Sequence, residues 1–133
     1  MPIRINFLDG GAGIEFVVTG TLTGAEILAA NRQVYTRENL LRLKYKVIDR
    51  TACAKYLVTS KEIENIAEQD RAAAAINRDI TIIIVAADDL QFGMTRMWQV
   101  FIEDIGFHSE IFADRAAADA YIAERFSSPA KPR

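Results

Sequence analysis

At 133 residues, half of them hydrophobic and 26% charged, the chain has the length and composition of one globular domain that can bury a core. Sixteen Lys and Arg against 18 Asp and Glu leave a net charge of −2, so no global field points to nucleic acid or to an anionic membrane surface. One Cys (Cys53) and one His (His108) exclude a disulfide within the chain and a Cys/His metal cluster, and no metal or cofactor is expected.

The opening MPIRINFLDGG lacks the uninterrupted apolar core of a signal peptide. Ile3, Ile5 and Phe7 alternate with Arg4 and Asn6, which predicts a half-buried strand to Leu8. Asp9-Gly10-Gly11 is a turn signal, and IEFVVT (14–19) reads as the returning strand of a hairpin, closed by Gly20. Thr23 with Glu26 forms a capping box, and Leu22 with Ile27 a hydrophobic staple, so a helix is predicted from here to about Arg37. Residues 38–43 read equally as a last turn or a loop.

KYKVIDR (44–50) predicts a strand ending at Asp49, with Thr51-Ala52-Cys53 opening a connection. The same entry signal then recurs. Thr59 with Glu62 is a second capping box, with Val58 and Ile63 as its staple, and it predicts a helix over 60–77. Within that helix Asp70 falls in the middle of the stripe Ile63, Ile66, Ala67, Ala74, where a charge needs a partner or a polar opening. The Ala-rich stripe suggests a helix at the domain rim, where partial exposure relieves the cost.

Ile80–Ala87 is the most apolar run in the chain and reads as a central strand covered on both faces. Asp88 and Gln91 cap a third helix, whose Met94, Met97, Trp98, Phe101 and Ile105 make one apolar stripe that stops at Gly106. FHSEIFA (107–113) predicts a last strand, and RAAADAYIAERF (115–126) a last helix behind the cap Asp114. The tail SSPAKPR (127–133), with two of the three prolines, is expected to be disordered. No segment approaches the roughly 18 apolar residues of a membrane span. A soluble, cytoplasmic chain is the expectation.

The predicted order ββαβαβαβα defines an α/β fold: a mixed, mainly parallel five-stranded sheet with about four helices, in a single domain over residues 1–126. With FGMTRMWQVF after the core strand and EIFADRAAADAYI at the end, this order resembles the STAS-like fold of anti-sigma-factor antagonists. It is most similar to small bacterial SpoIIAA-like (STAS/SEC14-type) domains, most of them uncharacterised. For the antagonists, the resemblance implies a phosphorylatable Ser at the start of the helix after the third strand, within Asp-Ser-Ser-Gly. This chain offers Val58-Thr59-Ser60-Lys61 there, with Ser60 near the acceptor position and the flanking Asp and Gly absent.

Two functional readings follow. The first is a non-enzymatic STAS-like regulatory module that binds an unknown protein partner, with a homodimer as one form, through an edge made by Asp49, Thr51, Thr59, Ser60 and Asp88. In it Ser60 or Thr59 is the candidate phospho-acceptor. The alternative is a carrier for a small apolar molecule or lipid, with a pocket under the third helix lined by Met94, Met97, Trp98 and Phe101. An enzyme built on Asp49 or on the pair Asp88 and Asp89 ranks last, because no base, nucleophile or phosphate-binding glycine loop accompanies them. Gly10-Gly11-Ala12-Gly13 precedes a strand rather than a helix, and His108 and Cys53 have no visible triad.

Overall fold

The structure, a computed structural model, describes residues 2–86 and 88–126. Five strands form one sheet in the order β1-β2-β3-β4-β5: β1 (Ile3–Leu8), β2 (Gly13–Thr23), β3 (Tyr45–Leu57), β4 (Thr81–Val85) and β5 (His108–Phe112). β1 pairs antiparallel with β2, and every other pairing is parallel. Five α-helices accompany them: α1 (Gly24–Val34), α2 (Arg37–Arg42), α3 (Ser60–Ile76), α4 (Asp89–Phe101) and α5 (Arg115–Phe126). The sheet is thus the expected mixed, mainly parallel five-stranded one, with one helix more than predicted. The tail 127–133, and Ala87 at the end of the predicted core strand, lie outside the described residues.

The extra helix arises where the reading was open. Tyr35 ends α1 outside helical geometry, and Thr36 caps a new start by accepting from the Asn39 N–H at 3.1 Å. The long entry helix to Arg37 is therefore two helices. Both capping boxes form as the spacing requires, Thr23 with Glu26 and Thr59 with Glu62.

Sheet order explains the layering. Strands that add in one direction through right-handed crossovers place every crossover helix on the same face. Accordingly α1, α3 and α4 pack with Phe16, Ile82, Ile84 and Val18 into the main core, whereas α5, which is no crossover, covers the opposite face. There Ala118, Tyr121 and Phe126 meet Tyr45, Val47, Ile83 and Val85. β3 is consequently covered on both sides: Tyr45, Val47 and Asp49 turn to α5, and Lys46, Ile48 and Arg50 turn to the three-helix layer.

The main departure from expectation is the length of β3. It runs on past Asp49 to Leu57, and β2 runs past Gly20 to Thr23, the two pairing as a ribbon that β4 does not reach. Register shifts at Val17/Thr19 and Gly20/Thr21, with Gly20 at φ 68°, bend this ribbon. A straight strand would hold Arg50 and Tyr56 roughly 20 Å apart. Instead the Arg50 guanidinium carbon lies 5.2 Å from the centre of the Tyr56 ring. The ribbon therefore curls over the helical face, burying Leu22, Tyr56 and Val58 in the main core.

Candidate functional site

The anticipated edge does not assemble as one surface. Asp49 points to the α5 side, where its Oδ1 accepts from the Thr51 N–H (2.9 Å) and hydroxyl (2.7 Å) and its Oδ2 from Arg115 Nη1 (2.9 Å). Burial works to raise the Asp49 pKa, but the Thr51 and Arg115 hydrogen bonds prevail and hold it below its usual value. Arg115 also bridges Glu15 at 2.7 Å and Asp119 at 2.7 Å, so this carboxylate belongs to a structural clamp between sheet and α5. Thr59 and Ser60 lie at the far end of the ribbon, where α3 begins on the opposite face. Both are exposed, with Thr59 occupied as N-cap. Asp88, also exposed, caps α4 by accepting from the Gln91 N–H at 2.9 Å. Among the described residues no group of three or more His, Cys, Asp or Glu is placed to hold a metal, and no helix is long and apolar enough to cross a membrane.

What the fold does assemble is a cavity between the sheet and helices α1, α3 and α4, with the curled ribbon at one end. Its walls are mainly isoleucine, from Ile27 on α1, Ile48 on β3, Ile63 and Ile66 on α3 and Ile82 and Ile84 on β4. Of the four pocket residues expected on α4, Trp98 lines it, joined by Thr95. Met94, Met97 and Phe101 are half-buried against the main core. The cavity leaves about 30 Å³ for the centre of a water-sized sphere. One water needs roughly 10–15 Å³ on that measure, so the volume suits about two waters or a molecule of three or four heavy atoms. A lipid chain does not fit a space of this volume.

Three charges stand in or beside this apolar space: Lys46, Arg50 and Asp70, 2%, 7% and 2% exposed. Asp70 is therefore not at a rim, as its Ala-rich stripe suggested; it lies under α4. Its Oδ2 accepts the Trp98 indole N–H at 2.7 Å and its Oδ1 the Tyr35 hydroxyl at 2.8 Å. That hydroxyl in turn accepts from Lys46 Nζ at 2.9 Å, and Nζ also donates to Asn31 Oδ1 at 2.6 Å. Gln69 holds the Asn31 amide in place, accepting from its Nδ2 at 2.9 Å. Burial drives the Lys46 pKa down to about 8 against the pull of Asp70, and burial pushes the Asp70 carboxyl up. Lys46 and Asp70 thus balance one another through Tyr35.

Arg50 has no such counter-charge. Its Nη1 donates to the Thr95 hydroxyl at 2.9 Å, and that hydroxyl passes on to the Gln91 carbonyl at 2.7 Å. No carboxylate of the described residues lies within ion-pair distance of it. Its Nε and the neighbouring Tyr56 hydroxyl are both buried without a hydrogen-bond partner. Buried guanidinium groups are ordinarily paired, so this corner has an unanswered positive charge.

Lys46, Arg50 and Tyr56 did not emerge from sequence patterns, although one signal was present. In KYKVIDR, alternation puts Lys46, Ile48 and Arg50 on one face and Tyr45, Val47 and Asp49 on the other. A strand inside a parallel sheet is covered on both, so either set of charges must be buried. Tyr56 was out of reach, because its approach depends on the bending of the ribbon.

No protein-family model matches the chain, and no curated protein matches it in sequence. Its fold is similar to that of an uncharacterized protein of the DUF3478 family with a SpoIIAA-like fold from Shewanella loihica PV-4, with a TM-score of 0.52 and 17% identity over 90% of each chain. The chain has a SpoIIAA-like α/β fold.

Proposed function

We propose that this chain is a non-catalytic small-molecule-binding module, with the cavity beneath α1, α3 and α4 as its site. The observation that carries the reading is that cavity with Arg50 and Tyr56 in its lining, each with a buried polar atom that the described residues leave unpaired. A core selected for stability alone would put apolar side chains at both positions, since burying such groups unpaired costs free energy. The cavity volume favours a small ligand over the lipid or large apolar cargo of the carrier reading. Native mass spectrometry and thermal melts of the purified chain against a panel of small acids, amides and alcohols test this. Occupancy with a rise in melting temperature is expected for at least one class, and uniform silence would sink the reading.

A second reading, a protein-interaction module, is supported by exposed apolar side chains beside the entries of α3 and α4. Leu57 and Leu90, at 52% and 58% exposure, flank Thr59-Ser60 and Asp88. Here Ser60→Asp should change which proteins a pull-down recovers. Identical partners at equal strength would remove Ser60 from the account.

A further inference from the structure

We propose that the Arg50–Tyr56 corner of the cavity is a receptor for a small carboxylate of about the size of acetate. The inference rests on the ligand-binding reading above and names the chemical class of its ligand. Charge is the first argument. Lys46 and Asp70 cancel, and Arg50 remains as a full positive charge with no carboxylate of the described residues beside it. A buried cation of this kind is stabilised by an anion far more than by water.

Geometry is the second argument. Nη1 is taken by Thr95 while Nε has no partner among the described residues, and a guanidinium edge is a planar fork that matches the two oxygens of a carboxylate. The Tyr56 ring lies against the same guanidinium at 5.2 Å and also lines the cavity, so its unpaired hydroxyl is a further donor beside Arg50. The remaining wall is mainly isoleucine, Ile48, Ile63 and Ile84 among it, with Asn31, Lys46 and Asp70 hydrogen-bonded to one another or to Tyr35, Gln69 and Trp98, and it suits a short alkyl group. Volume is the third. A space for about two waters admits the four heavy atoms of acetate and little more.

Trp98 is the single Trp of the chain and lines this cavity, so its fluorescence reports occupancy directly. The full chain, in low-salt zwitterionic buffer, is titrated with sodium acetate, with the neutral isostere acetamide, and with sodium chloride, each followed by Trp98 emission and thermal melting. Acetate is expected to saturate and to raise the melting temperature, with acetamide at least about tenfold weaker, the discrimination expected of a charge-assisted pair. Arg50→Gln should abolish the acetate response. Should Arg50→Gln not fold, Tyr56→Phe removes one donor, keeps the ring, and should weaken acetate at least about tenfold. Equal binding of acetate and acetamide would overturn the anion assignment yet leave the ligand-binding reading standing. Chloride displacing acetate at equal concentration would overturn the carboxylate assignment. Silence toward acetate with a response to another neutral molecule would reject this inference alone, and silence toward every small molecule would reject both.

Discussion

The indole N–H of Trp98 on α4 donates to the Asp70 carboxylate on α3 at 2.7 Å, in a layer where both side chains are almost wholly buried. This bond ties the two helices through a charge rather than through packing alone. Asp70→Asn keeps the shape but leaves Lys46 without its counter-charge, and should cost roughly 3–5 kcal/mol, as for one partner removed from a buried pair. Adding Lys46→Met to Asp70→Asn removes the stranded charge as well. The double variant should therefore be more stable than Asp70→Asn alone in urea melts. Additive losses would show that the two groups are not coupled through Tyr35.

Lys46 sets a pH dependence of unusual sign. In the unfolded chain its ammonium keeps its proton up to its ordinary 10.5, whereas in the folded chain burial releases that proton from about 8. Between these values the unfolded state carries more protons, so this group makes stability rise with pH. The difference is worth about 3 kcal/mol across the window. Stability measured at pH 7.5 and at pH 10, with Lys46→Met as the reference for every other titration, should show the wild type gaining relative to the variant. No relative gain would mean that Lys46 keeps its proton throughout.

Gly24, the first residue of α1, should resist the usual benefit of Ala in a helix. A Cβ there would stand 2.4 Å from Cδ and 2.6 Å from Cβ of Glu62, the residue that closes the capping box of α3. Gly→Ala inside a helix normally gains about 1 kcal/mol. Here the clash and the disturbed cap should reverse the sign, to a loss of roughly 1–3 kcal/mol. A melting temperature above that of the wild type would show that the α1 and α3 entries can separate without cost.

Tyr56→Phe removes a buried hydroxyl that has no partner among the described residues. In ligand-free buffer the variant should be more stable than the wild type by about 1 kcal/mol, the cost of burying such a group unpaired. Saturating acetate should narrow or invert that gap, because the hydroxyl then has work in the wild type. Destabilisation in the absence of any ligand would argue that the hydroxyl is hydrated.

Local signals located nearly every element. Both capping boxes form where Thr23-Glu26 and Thr59-Glu62 stand, β1 spans the alternation Ile3–Leu8, and α5 covers RAAADAYIAERF. Such features depend on neighbours within four residues, so the chain spells them out. The course of TACAKYL did not show in that way. Nothing within the segment marks it as strand; its partner is residues 19–23, some 30 positions away, and the pairing exists only because α1 and α2 return the chain alongside β2.

The charged cavity belongs to that second category. Cap spacing and hydrophobic period already specified the strand and helix order of a mixed α/β sheet, because hydrogen bonding and amphipathic burial repeat on short periods. Which charges end up in the dark depended on the third dimension. Asp70 is buried because α4 crosses over it with Trp98, Lys46 because α1 covers its face of β3, and Tyr56 because the ribbon curls back at two register shifts. Burial is a sum over the surfaces that converge on a residue, and those surfaces come from segments 15 to 45 positions apart in the chain.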